Sequence, residues 1–156
     1  MEKMLISGVA ADKNVAKIRV AGLGNDPEST FRLLNLLDRN NLNIDVMIKS
    51  LGKYGTKSVS FTVAKPDMLR TIDVLNDNKD LLGIKKLDYD ENVAKVSVIG
   101  AGVRSHSGVA AKMFGALANA GINTEMVTTS EIRITALIDE AYADQAMRAI
   151  HETFLE

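Results

Sequence analysis

The chain has 156 residues, 46% of them hydrophobic and only 4% aromatic, with 19 Lys and Arg against 20 Asp and Glu. A net charge of −1 offers phosphate backbones and anionic membranes no excess of positive charge, and the absence of cysteine excludes disulfides and thiolate metal sites. No apolar run approaches membrane-spanning length and nothing reads as a signal peptide, so the expectation is a cytoplasmic, aliphatic α/β protein with neither nucleic acid nor membrane as a partner.

Met4 to Ala10 reads as a short strand and Ala11-Asp12-Lys13-Asn14 as the turn that ends it. Val15 to Ala21 alternates apolar Ile18 and Val20 with Lys17 and Arg19, the pattern of a half-buried strand. A loop, Gly22 to Pro27, follows; Asp26 is placed to cap the next helix with its carboxylate, and Pro27 suits the first helical position, where no N–H partner is needed. Thr30, Leu33, Leu34 and Leu37 recur at helical spacing and predict the buried stripe of that helix, which Asn40-Asn41 should end in a left-handed cap. Leu42 to Ser50 is expected to be a strand, Gly52-Lys53-Tyr54-Gly55 a hairpin loop, and Ser58 to Ala64 its alternating return. Pro66 starts a second helix with Met68, Thr71, Ile72 and Leu75 inward, and Ile84 to Tyr89 closes a βαββαβ unit.

From Val93 the chain repeats itself. Val15, Lys17 and Gly22 match Val93, Lys95 and Gly100 at an offset of 78; beyond a loop two residues longer, Leu34, Leu37, Asn43 and Ser50 match Phe114, Leu117, Asn123 and Ser130 at 80. An offset that survives from strand through helix to strand marks two copies of one supersecondary unit. The second copy reads as strand 93–101, helix 107–120 with Ala110, Met113, Phe114 and Leu117 inward, strands 122–130 and 131–138, and helix 140–154 with Ala143, Ala146, Met147 and Ile150 inward. It ends one strand short, while Leu5 to Ala10 is one strand too many. The economical arrangement lets that first strand complete the second unit, giving an α+β fold of two ferredoxin-like βαββαβ units, residues 15–90 and residues 3–12 with 93–156, the first inserted into the second.

The glycine pairs Gly22/Gly24 and Gly100/Gly102 lack the third glycine and the acidic residue of a dinucleotide fingerprint, so they read as tight strand-to-helix turns. The central strands carry one aromatic between them, which argues against base stacking. Lys53 to Thr56 reads as a turn, and His106 as a loop or solvated residue. His106 and His151 lack a metal-ligand spacing, and no nucleophile–base or paired-carboxylate set clusters. What the repeat does offer is two loops, Gly24–Thr30 and Gly102–Val109, each ending at a helix N-terminus. Unsatisfied N–H groups there suit a carboxylate, and Asn25 and Asp26 can take an ammonium group, a pairing that suits a free α-amino acid.

These residues carry a resemblance. SGVAADKNVAKI (7–18), GLGNDPES (22–29), LNIDVMI (42–48), VAKVSVIGAGVRSHSGV (93–109) and INTEMVTTSEIRI (122–134) make the span from Ser7 to Phe154 similar to the regulatory region of aspartate kinase, a tandem pair of ACT domains. The last two segments are specific to that enzyme. The resemblance implies a homodimer through ACT–ACT contacts, partnered by a catalytic kinase chain or domain that phosphorylates L-aspartate with ATP. It implies no cofactor, but feedback control by L-threonine, L-lysine or both, bound where the first unit of one chain meets the second unit of another. Effector contacts carry over to Asn25, Asp26, Pro27, Glu28, Ser29, Thr30 and Lys49, and across the interface to Asn123 and Thr124. Glu28 and Lys49 depart from the family's usual glycine and glutamine; Glu28 should repel an effector carboxylate, with Lys49 available to pair with Glu28 or with the effector. The rival expectation is a ligand-free module that only assembles the kinase.

Overall fold

The computed structural model describes residues 6–24, 26–51, 57–103 and 107–155. It divides into two compact units, one made of the chain up to Lys13 and again from Asn92, the other of Asn14–Glu91. In chain order the strands are β1 (Gly8–Asp12), β2 (Val15–Leu23), β3 (Met47–Leu51), β4 (Lys57–Ala64), β5 (Lys86–Asp90), β6 (Val93–Ile99), β7 (Met126–Thr129) and β8 (Arg133–Asp139). The helices are α1 (Pro27–Arg39), α2 (Met68–Asp77), the single turn α3 (Lys79–Leu82), α4 (Ser107–Asn119) and α5 (Ala143–Leu155), with 3-10 turns at Lys65–Asp67 and Glu140–Tyr142.

Each unit has one four-stranded antiparallel sheet, in the orders β3-β4-β2-β5 and β1-β6-β8-β7. Both are the ferredoxin-like order, with β1 standing in the second sheet where β5 stands in the first. The register repeats the equivalence: Asp90 of β5 lies opposite Lys17 of β2, and Asp12 of β1 opposite Lys95 of β6, with Lys95 Nζ 3.8 Å from Asp12 Oδ2. The first unit is therefore inserted into the second, as the strand count required. The strand that completes the second unit runs later than expected, however: Ala11 and Asp12 belong to β1 and not to a turn, and Met4 and Leu5 lie outside the described residues.

Alternation decides which face of each sheet is covered. Ile18, Val20, Val59 and Phe61 are fully buried with Leu33, Leu37 and Leu75 of the helices; Val96, Val98, Ile134 and Ile138 are buried with Met113, Leu117 and Ile150. Several boundaries move from expectation. β3 begins at Met47 and β7 at Met126, because residues 42–46 and 122–125 run as connections that bury Leu42, Val46 and Ile122 without joining a ladder over their whole length. Asp45 and Val46 still bond to Thr62, and Glu125 N–H donates to the Leu137 carbonyl at 2.8 Å. Pro66 sits in a 3-10 turn ahead of α2, and β5 starts two residues late. Leu34 is 36% exposed, since the stripe turns so that Leu36 packs on the core instead.

The helix ends are built alike. Asn41 (φ 57°) and Gly121 (φ 73°) take the left-handed cap, with Leu42 N–H donating to Leu37 O and Ile122 N–H to Leu117 O, both at 2.9 Å. These are Schellman closures, each with its apolar pair, Leu42 with Leu37 and Ile122 with Leu117, in the core. A residue from the neighbouring helix supplements each: Arg70 of α2 donates to the Asn40 and Asn41 carbonyls, and Gln145 of α5 to the Ala120 carbonyl at 3.2 Å.

Gly22 (φ 97°) lies at the register shift between Ala21 and Leu23, where Lys85 N–H bonds the Ala21 carbonyl at 2.9 Å; a Cβ on Gly22 would stand 2.6 Å from Lys85 Cγ and 2.9 Å from its backbone N. Gly121 also has positive φ, but a Cβ there meets nothing within 4 Å. Gly22→Ala should therefore lower the stability measured by urea unfolding by more than about 2 kcal/mol, against about 1 kcal/mol for Gly121→Ala; equal losses would contradict the close approach. The inserted topology makes a second demand. A fragment of residues 14–91 should unfold cooperatively by itself, whereas residues 92–156 should fold only when residues 6–13 are supplied, and an independently folded 92–156 fragment would contradict it.

Candidate functional site

The tip of α1 is shaped by the turn that feeds it. β2 ends at Leu23, which is fully buried, and the bulge at Gly22 redirects the chain toward Gly24. Asp26 holds the extended backbone of an N-cap (φ −108°, ψ 156°), followed by Pro27 at the start of α1 and Glu28 in its first turn. The expected carboxylate cap on a backbone N–H is not formed. Instead Ser29 donates its hydroxyl to Asp26 Oδ1 at 2.5 Å, a short O–H···O⁻ contact between a charged acceptor and the residue three positions on. Gly24 makes room for it, because a Cβ there would stand 2.7 Å from Asp26 Oδ1 and 2.9 Å from Ser29 Oγ.

That hydroxyl holds the Asp26 carboxyl below the ordinary carboxylate range, so Asp26 is an anion at neutral pH. Thr30, 9% exposed, places its Oγ1 in the interior with no hydrogen-bond partner among the described residues. A buried hydroxyl without a partner is uncommon, since leaving it unsatisfied costs about 1–3 kcal/mol. Glu28 meets Arg32 at 3.3 Å, an i,i+4 pair with both side chains at least half exposed, so the carboxylate expected to repel an effector is partly neutralised by its own helix. This is the partner of Glu28; Lys49 makes no ion pair among the described residues. Chemically, the tip presents helix N–H groups for a small carboxylate, an ionised carboxylate for an ammonium group and a buried hydroxyl.

The nine residues singled out from the sequence fall into three places. Asp26, Pro27, Glu28, Ser29 and Thr30 come together at the α1 tip, while Asn25 lies outside the described residues. Lys49 is on β3 opposite Val59, in the register of the face that carries the helices, and is exposed. Asn123 and Thr124 belong to the other unit, exposed on the connection between α4 and β7. The corresponding loop of that unit turns at Gly102 (φ 71°) and buries Val103, and His106 is outside the described residues. Sequence reasoning missed the Glu28–Arg32 and Asp26–Ser29 pairings, although both spacings were legible; the close approach at Gly24 left no sequence signal beyond the glycine itself.

Among the described residues no group of His, Asp or Glu is arranged to hold a metal ion, and no helix is long and apolar enough to cross a membrane. Comparison with known proteins gives a consistent answer. Residues 96–154 match the ACT domain family. The aspartokinase of Pseudomonas aeruginosa is 36% identical over 99% of this chain, which spans only 37% of that relative's length. A chain in the crystal structure of aspartokinase alpha and beta subunits is 41% identical with a TM-score of 0.89, covering 96% of this chain and 98% of that one. The ligand-free regulatory subunit of aspartate kinase from Thermus thermophilus is 32% identical with a TM-score of 0.90, covering 96% and 99%. The chain belongs to the family of aspartate kinase regulatory regions, and its two ferredoxin-like units are ACT domains.

Proposed function

We propose that this chain is the amino-acid-sensing part of an aspartate kinase, binding L-threonine, L-lysine or both at the tip of α1 for feedback inhibition of aspartate-family amino-acid synthesis. The observation that carries the reading is the constellation at that tip: an ionised, exposed Asp26, helix N–H groups beside it, and the unpartnered Thr30 hydroxyl behind. In this reading the effector ammonium sits on Asp26, its carboxylate on the helix N-terminus, and Lys49 adds a cation from β3. Asn123 and Thr124 of a second copy close the site, which makes the sensing form a homodimer. The catalytic kinase that responds, transferring phosphate from ATP to L-aspartate, is the partner.

The energetics suit metabolite sensing. A ligand of roughly ten heavy atoms gains about 4–8 kcal/mol, a dissociation constant between about a micromolar and a millimolar. Inhibition needs a coupling of only about 1–3 kcal/mol between this site and the kinase.

Ligand binding to the folded state raises its melting temperature by mass action. In a thermal-shift panel of the twenty amino acids at millimolar concentration, threonine or lysine should raise Tm and Asp26→Ala should abolish the rise while leaving the unliganded Tm within about 2 °C. No shift across the panel would favour the assembly module.

The depressed Asp26 ionisation gives a separate test. Because the folded carboxyl is the stronger acid, its contribution is present above the unfolded pKa and is lost as pH falls through the folded one; protonation there also removes the ammonium partner. A carbon-detected titration should place the Asp26 midpoint below the ordinary aspartate range, and Ser29→Ala should raise it. An unchanged midpoint in the variant would remove the Ser29 hydroxyl as its cause.

A further inference from the structure

A second set of uncommitted polar groups lies in the other unit, away from any loop the repeat singled out. The exposed face of α5 beside the end of β1 forms an open cleft of about 680 Å³, a volume in the range of small-molecule sites. Asp144, Met147, Arg148, His151 and Glu152 line it at i, i+3, i+4, i+7 and i+8, flanking the buried stripe of Ala143, Ala146 and Ile150, and Ala11 and Lys13 form the opposite wall.

Of the charges there only Asp144 and Lys13 pair with each other. Asp144 precedes Arg148 by four residues, the favourable order for a helical ion pair, yet its carboxylate lies 3.6 Å from Lys13 Nζ. The side chains of Arg148, His151 and Glu152 make no ion pair or hydrogen bond among the described residues. The same spacing elsewhere does close, as Glu28 and Arg32 show at 3.3 Å. The cleft thus presents a guanidinium and an imidazole one turn apart, a carboxylate beside them, and the apolar surfaces of Met147 and Ala11 between the walls.

A lone anion would meet Glu152 and a lone cation would meet Arg148; a molecule carrying both signs satisfies the set. We propose that this cleft is a second binding site for a small zwitterion of the α-amino-acid class, its carboxylate between Arg148 and His151, its ammonium on Glu152 and its side chain along Met147. The site is distinct from the α1 tip and does not depend on that assignment, since it lies in the other unit and shares no residue with it.

The test uses the full chain carrying Asp26→Ala, so that the α1 tip is silenced, with L-lysine and L-threonine as probes and amide chemical shifts as the readout. Saturable shifts at residues 147–152 and 11–13 are expected for at least one probe. Arg148→Gln should weaken them about tenfold or more, and Nα-acetyl and methyl-ester analogues, each lacking one charge, should bind comparably weakly. The proposal is overturned if α5 shows no saturable shift, if Arg148→Gln leaves the affinity unchanged, or if an analogue missing one charge binds as well as the parent. Shifts confined to the α1 tip in the unmodified chain, with none on α5, would overturn this proposal while leaving the first reading standing.

Discussion

The pairing of β1 with β6 is the contact on which the rest of the structure depends. Five residues from the start of the described chain hydrogen-bond to a strand about 85 positions later, from Gly8 opposite Ile99 to Asp12 opposite Lys95. Without it β6 becomes an unprotected edge, and α5, which packs against both strands, loses one side of its seat. The pairing also fixes the inserted unit at both ends. Only Lys13 separates Asn14 from β1 and only Asn92 separates Glu91 from β6, so the ACT domain between them is joined to its neighbour by two short tethers.

Site chemistry grows out of the same economy. A ferredoxin-like unit must turn its first strand into a helix within a few residues, and a helix that starts there presents N–H groups with no partner inside the helix. In the first unit the turn is tight enough to require glycine twice, at Gly22 for Lys85 and at Gly24 for the Asp26–Ser29 pair. The acid is thereby held at the helix tip against the Ser29 hydroxyl, with its ionisation favoured. Glu28 and Arg32 adjust the field at the same tip, but both are exposed and solvent screens them, so the pair adds little to stability.

Much of this was legible in the residues. The duplicated offsets, the helical stripes and the missing final strand specify two units and the insertion, because they reflect burial, which repeats wherever the fold repeats. Asn41 was readable as a cap because only certain residue types tolerate positive φ. Strand ends were not: Leu42 to Val46 alternates buried and exposed residues as a strand does, and Ile122 is buried ahead of β7, so what separates these stretches from the ladder is hydrogen bonding that periodicity does not encode. Leu34 misled for a related reason, since a stripe of four positions does not say which flank the core will choose. At the α1 tip the residue types were visible and their pairings were not, because Asp26 had two partners in reach, a backbone N–H and the Ser29 hydroxyl, and geometry chose between them. The α5 cleft had no sequence signature, as it forms only when β1 is laid beside a helix far away in the chain.

Native-state hydrogen exchange, followed amide by amide across the chain, tests the central claim most directly. If β1 completes the second ACT domain, the bonded amides of β1 should exchange with the same opening free energy and denaturant dependence as those of β6 and α5, as one cooperative unit. Amides of β1 that exchange freely while β6 and α5 stay protected would contradict it.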